Sequence, residues 1–265
     1  MLTLSRIVPL AAPVRSGRLV ERNLLVYRRT WMVLFSGFFE PLFYLLGIGF
    51  GIGALVGTVT GPDGHAIPYQ VFVAPALLAS SAMNGAIYDS TTNVFFKLKY
   101  AHTYDAILTT PVGISDVAVG EIAWALIRGT LYAIGFMAVM LMLGLVRSPA
   151  WLLAFPGSIL IGFAFASVGM ALSTWVRSWA DFDKLQLVLL PMFLFSATFY
   201  PMTAYPPALQ VVVQLTPLYH GVDLLRGLTT GSIGLAQGLD VAYLVGMGIV
   251  GLAVVSRRLE HLLLK

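Results

Sequence analysis

Long runs without charge dominate the chain. Between Thr30 and Pro62 the one charge is Glu40, and between Ile122 and Val146 it is Arg128. Gly64–Tyr88, Ser148–Val176, Leu185–Val222 and Val241–Ser256 hold no Asp, Glu, Lys or Arg. A membrane helix takes about 20 mostly apolar residues. The pattern therefore predicts six spans, at about 33–56, 70–94, 117–146, 150–176, 184–200 and 236–256. The Leu185–Val222 run is too long for one span and is broken by Pro191, Pro201, Pro206, Pro207 and Pro217. Its first part can span. Residues 205–230 are expected to form short re-entrant helices dipping into the outer leaflet, where protein or a wet cavity must cover irregular backbone.

Composition agrees with lipid as the main solvent. The 265 residues are 58% hydrophobic and 11% charged, against about 25% charged in soluble domains. A soluble protein this short leaves too much surface in water to hide so many apolar side chains. An ordinary soluble enzyme, a disordered protein and a nucleic-acid binder are excluded. With no cysteine, disulfides and thiolate chemistry are excluded too.

The basic residues give an expected orientation. With both termini in the cytoplasm, Arg6, Arg15, Arg18, Arg22, Arg28, Arg29, Lys97, Lys99, Arg177, Lys184, Arg257, Arg258 and Lys265 lie inside. Arg147 and Arg226 lie outside. Trp31, Trp151, Trp175 and Trp179 fall at span ends, where amphipathic rings prefer the interface. Arg6 interrupts the first apolar run before a signal-peptide core forms, so the first apolar helix is expected to be a retained span. The expected organisation is a cytoplasmic segment over 1–32, a transmembrane domain over 33–256 and a cytoplasmic tail over 257–265.

Within the first segment, residues 14–31 predict an amphipathic helix on the inner face. Val20, Leu24, Tyr27 and Trp31 line one side, and Arg15, Arg18, Arg22 and Arg29 the other. A plain basic flank to the first span is the alternative. Four ionisable residues fall inside spans: Glu40, Asp89, Glu121 and Arg128. Each costs about 2.5–3.5 kcal/mol on insertion scales and so faces protein or water. Glu121 and Arg128, seven residues apart on one helix face, lie about 10 Å apart along the axis. They serve either a transport path or charge pairing that fixes helix packing. Ser81, Asn84, Tyr88 and Thr92 make a polar stripe on the second span, suited to lining a path or to bonding helices together. Gly47, Gly49, Gly51, Gly53 and Gly57 suggest close helix packing in the first span.

The loop KLKYAHTYDAILTTPVGISD, residues 97–116, is too apolar for a solvated connection. Residues 101–109 predict two helical turns stopped before Pro111, and Ser115 offers an N-cap for the third span. A short helix flanked by Lys97 and Lys99 suits docking of a soluble partner. No GxxxxGK[ST], HExxH, GxSxG, histidine cluster or metal-ligand set is present. No catalytic constellation is visible.

Two stretches resemble the ABC-2 type permeases. One is LLPMFLFSATFYPMTAYPPALQVVVQLTPLYHGVDLLRGLTTG, residues 189–231; the other is HTYDAILTTPVGISDVAVGEIAWA, residues 102–125. Within that family the chain is most similar to the nodulation-factor exporter and daunorubicin-resistance-type permeases. The resemblance implies an all-α membrane fold with six transmembrane helices, an N-terminal interfacial helix, a cytoplasmic coupling helix and re-entrant extracellular helices before the last span. It implies a bacterial plasma-membrane exporter in which two permeases, copies or relatives, join two ATPase subunits. ATP and Mg2+ belong to that partner, and this chain carries no cofactor. The substrate is expected to be an amphiphile (a drug, lipid or lipo-oligosaccharide) in contact with membrane lipids. Coupling positions would be Tyr104, Asp105, Ile107, Leu108 and Thr109, with Arg22 and Arg29 making a second ATPase contact. The path would pass Ser81, Asn84, Tyr88, Phe193, Phe195, Ser196 and Phe199. Two other classes stand beside this reading. An ATP-independent transporter or channel predicts inverted repeats, and the two halves show none. A lipid-modifying enzyme needs a convergent acid/base or metal set.

Overall fold

The computed structural model describes residues 13–28, 39 and 41–263. Ten helices, a one-turn 3-10 helix at Met202–Ala204 and one small hairpin follow one another among them. Helix α1 is Pro13–Arg28. Helix α2 is Pro41–Val56, π-helical over Leu45–Ile52. Strands β1, Thr58–Thr60, and β2, Ala66–Pro68, pair antiparallel with Val59 opposite Ile67. Then come α3, Tyr69–Lys99, and α4, Thr103–Leu108. They are followed by α5, Ile114–Met142, α6, Pro149–Ser173, and α7, Asp181–Leu194. Helices α8, Pro207–Leu215, and α9, Pro217–Thr230, precede α10, Leu235–Leu263.

Among the described residues, α3, α5, α6 and α10 are long and apolar enough to cross a membrane. At 29 residues, α10 is about 43 Å long and exceeds a hydrocarbon core of about 30 Å. Helix α3 is the hub: Val71, Phe72, Leu77, Leu78 and Met83 are buried by α2, α5, α6 and α9. Helix α10 runs along α6, brought close by small residues. A Cβ on Gly251 would sit 2.8 Å from the Ser167–Val168 backbone, and one on Gly248 would strike the Phe163 ring. Van der Waals contact between backbones is what holds helices together when lipid removes the hydrophobic drive.

Several local expectations change in the structure. The closest glycine contacts are on α5, α6, α9 and α10; in the first span a Cβ on Gly53 would meet Tyr69 at 3.3 Å, whereas one on Gly47 or Gly57 meets nothing within 4 Å. The first part of the 33–56 span, with Glu40, Arg29 and Trp31, lies outside the described residues. The N-cap of α5 is Gly113, not Ser115. Its amide donates to Asp116 Oδ2 at 2.9 Å, placing a carboxylate in the first turn where the helix dipole favours it. Helix α10 continues past Ser256 because Arg258 finds partners at the polar end: it stacks 4.6 Å from Trp175 and reaches Thr174 Oγ1. Charge ended the apolar run but not the helix.

Helix α7 ends at Leu194, short of the 184–200 expectation. At 14 residues it covers about 21 Å. The chain then unwinds through residues 195–201, with Ala197 at φ 55°. Other partners replace the missing helical bonds. Arg226 donates to the Ala197 carbonyl at 2.8 Å, and the Tyr69 hydroxyl to the Phe199 carbonyl at 3.2 Å. Protein cover of this kind is what irregular backbone needs at membrane depth.

Candidate functional site

A cavity of about 530 Å3 lies among α2, α3, α5 and α7. One wall is polar. Ser81, Asn84, Tyr88 and Thr92 of α3 line it at helical spacing, with Arg128 and Tyr132 of α5 and Gln186 of α7. The other wall is apolar: Pro41 and Tyr44 of α2, and Leu185, Leu189, Leu190 and Phe193 of α7. The Phe193 ring meets Phe199 edge-on at 5.2 Å and Tyr44 at 5.7 Å.

At the floor, α3 is π-helical over Asp89–Asn93. Such bulges re-aim side chains and recur at functional sites. Asp89 forms an ion pair with Arg128. Arg128 also donates to Tyr132 Oη at 2.8 Å and to Tyr27 Oη of α1 at 3.3 Å. The pair is net neutral and incompletely satisfied. Arg128 Nε, Asp89 Oδ2 and Ser81 Oγ are buried without a hydrogen-bond partner. Buried polar atoms of this kind are rare and call for an explanation.

A second charge pair lies nearer the end of the bundle that carries α1 and α4. Lys97 Nζ donates to both carboxylate oxygens of Glu121, at 2.7 and 2.8 Å, and to Asn23 Oδ1 of α1 at 3.1 Å. Asn23 Nδ2 donates back to Glu121 at 3.3 Å. The Tyr104 phenol is buried beside this carboxylate. Burial foremost, and then the Glu121 charge, raises its pKa well above the ordinary value. Below it a groove opens between α1 and α4, lined by Arg18, Leu19, Arg22, His102, Ala106 and Ile107.

The expected residues divide accordingly. Ser81, Asn84, Tyr88 and Phe193 line the cavity; Phe195, Ser196 and Phe199 belong to the unwound segment behind it. Phe195 is exposed, while Ser196 is buried and bonds Thr216 at 2.9 Å. Around the groove, Asp105 is exposed and pairs with His102, Ile107 and Leu108 are half-buried, and Thr109 is exposed. Arg22 lines the groove. Glu121 and Arg128 do not pair with each other: across their separation along α5, each has a nearer partner from α3.

The face of α1 buried against the bundle is Ser16, Leu19 and Asn23. On the expected apolar side Leu24 is exposed, as are its neighbours Leu25 and Val26, and Tyr27 is half-buried. Sequence reasoning gives no role to Asn23, Tyr132 and Gln186; it places Tyr27 on the apolar side of α1 and Lys97 beside the docking helix, not in these charge pairs. Ser16, Leu19, Asn23 and Tyr27 do recur at helical spacing, which was the available signal. It also treated Arg226 as an outer-face cation. Arg226 is fully buried, donates to the Phe72 and Ala197 carbonyls and lies 3.7 Å from the Phe72 ring centroid.

The ABC-2 type transporter family pattern matches residues 17–229. The chain belongs to that family. It is 33% identical over 245 residues to nodulation protein J of Rhizobium meliloti strain 1021, covering 90% of this chain and 92% of that protein. Nodulation protein J of Rhizobium leguminosarum bv. viciae gives 33% identity over 245 residues, 90% and 93% covered. The inner membrane transport permease YadH of Escherichia coli K12 is 23% identical over 205 residues, 77% of each chain. The cavity, the groove and the two charge pairs are thus features of an ABC-2 permease, a membrane protein of transport.

Proposed function

We propose that this permease is the membrane subunit of an ATP-binding-cassette exporter in the bacterial inner membrane. It moves an amphiphile with a neutral, hydroxyl- or amide-bearing head, the chemistry of a lipo-oligosaccharide, out of the cytoplasm or the inner leaflet. The carrying observation is the divided cavity. Hydroxyl and amide groups, with Arg128 neutralised by its ion pair to Asp89, face an aliphatic and aromatic wall. A charged head would have to compete with an existing ion pair, whereas a hydroxyl oxygen can accept a hydrogen bond from Arg128, which lines the cavity and whose Nε lacks an acceptor. The apolar wall of α2 and α7 suits an acyl chain.

In this reading both termini are cytoplasmic, α2 and α7 complete six spans, and α8–α9 dip back from the outer side. A second permease, a copy or a relative, closes the cavity over the α2–α7 face, where Phe43, Leu46, Leu187 and Leu190 are exposed. Two ATPase subunits, which hold ATP and Mg2+, seat on the α1–α4 groove and on Asp105 and Thr109. Drugs and other lipids remain alternative cargo.

The test uses the absence of cysteine. In inside-out vesicles holding the co-purified ATPase, Asn84→Cys labelled with a bulky maleimide should abolish ATP-dependent uptake of a fluorescent acylated oligosaccharide. Full uptake after complete labelling removes the cavity from the path. Equal uptake without nucleotide favours an ATP-independent transporter.

A further inference from the structure

We infer that Tyr27 is a positioning residue for Arg128, and that through it helix α1 sets whether the guanidinium at the cavity floor is held or offered to the transported head group. The inference rests on the exporter reading above, but its decisive measurement does not.

Helix α1 meets α5 in a ladder of contacts at successive turns. At the first, Leu19 sits so close to Gly120 that an added Cβ there would lie 2.8 Å from Leu19 Cβ and 3.1 Å from the Ser16 carbonyl oxygen. At the second, Asn23 closes the ring with Lys97 and Glu121. At the third, the Tyr27 ring packs 5.1 Å from Trp124, and its hydroxyl accepts from Arg128. The lower end of the ladder borders the groove through Leu19, and the upper end borders the cavity through Arg128. A displacement of α1 is thereby felt at the cavity floor.

The bonds divide into two sets. Lys97–Glu121 and Asp89–Arg128 join α3 to α5 and do not involve α1. Among the described residues, those from Asn23 and Tyr27 tie α1 to these pairs. Moving α1 breaks the second set and leaves the first, so the bundle stays joined while Arg128 loses one of its anchors. Arg128 Nε already lacks an acceptor, and with Tyr27 gone a second donor of the same guanidinium becomes available. It faces a cavity that it already lines.

The experiment is phenylglyoxal labelling of the purified complex in nanodiscs, with Arg128 followed by peptide mass spectrometry. Tyr27→Phe keeps the ring on Trp124 and deletes only the hydroxyl. It should raise the Arg128 modification rate by about tenfold or more, the factor for losing one hydrogen bond to a charged group. Asn23→Ala should raise it too by loosening α1, while Tyr44→Phe, on the opposite cavity wall, should not. Labelling of Arg226, which is buried on the Phe72 and Ala197 carbonyls, serves as the internal standard. An Arg128 rate in Tyr27→Phe and Asn23→Ala equal to the unmutated chain overturns the inference, as does an equal rise at Arg226, which would mean general loosening. In the unmutated complex, trapping the ATPase with ATP and vanadate should also expose Arg128. If no ATPase accompanies the chain, the exporter reading falls, and the Tyr27→Phe comparison on the chain alone still decides the role of Tyr27.

Discussion

Lys97→Met removes a cation while keeping most of the side chain's apolar length. The structure fixes what is left behind. The Glu121 side chain is 2% exposed and that of Lys97 10%. Without Lys97, Glu121 keeps the Asn23 amide at 3.3 Å and loses both short bonds to the ammonium. A buried charge stripped of its partner costs about 3–5 kcal/mol, a large share of a total stability of about 5–15 kcal/mol. An exposed pair would be worth about 0–1 kcal/mol, so the two possibilities differ by at least a factor of about 30 in the unfolding equilibrium.

The decisive form is a double-mutant cycle. Lys97→Met, Glu121→Gln and the double variant are compared by steric trapping in mixed micelles. Lys97→Met alone should cost about 3–5 kcal/mol. The double variant should recover more than half of that, because a neutral amide can still bond Asn23 and no charge is stranded. If Lys97→Met costs less than about 1 kcal/mol, or if the double variant is the sum of the singles, Glu121 is not a stranded buried carboxylate. The description of α1, α3 and α5 as tied through one charge pair would then be wrong.

Further outcomes follow from other parts of the bundle. Gly251→Val, with backbone 2.8 Å from the new Cβ, should destabilise the α6–α10 pair by about 1–3 kcal/mol or more; Gly246→Val, which meets nothing within 4 Å, should be neutral in the same detergent melt. Arg226→Lys cannot serve two carbonyls and stack on Phe72 together, so one buried acceptor is left unpaired at about 1–3 kcal/mol, and a protease should cut residues 195–201 faster. Asp181, where α7 begins, accepts from Lys184 and from the Arg177 and Ser178 amides, and its pKa is lowered below the ordinary carboxylate value, the lysine contributing most. Its stabilising effect is complete at neutral pH and fades as pH falls through about 4 and below; Asp181→Asn should flatten the acid side of the melting profile, and an unchanged profile would deny the cap.

The parts of this fold legible in sequence are those where lipid leaves no choice. Uninterrupted apolar runs must become helices because a bilayer offers the backbone no other partners, and α3, α5, α6 and α10 follow. The polar stripe on α3 was legible because period is geometry: residues three and four apart share a face whatever they pack against. What they face was not legible. Ser81, Asn84, Tyr88 and Thr92 acquire meaning only because α7 brings an aliphatic wall opposite them. The pairing of charges was hidden for a related reason. Spacing along α5 put Glu121 and Arg128 in reach of each other, but reach on one helix says nothing of a closer ion on the next.

The same limit applies to α1 and Arg226. An amphipathic pattern weighs each residue by its own transfer energy. It therefore set Leu24 against the lipid and gave Asn23 and Arg226 no partner in the protein. In a membrane protein apolar residues gain nothing by leaving lipid for protein, since lipid tails are as apolar as leucine. Polar residues gain most, because inside the bundle they find partners. Asn23, Lys97 and Arg226 are buried on polar partners and Tyr27 is half-buried on one, while Leu24, Leu25 and Val26 are exposed. For helices at a membrane face, the inward side is better sought along the line of polar residues with helical spacing than along the apolar one. Applied to α1, that line is Ser16–Asn23–Tyr27, the face that meets α5, and it leads from the groove to the cavity floor.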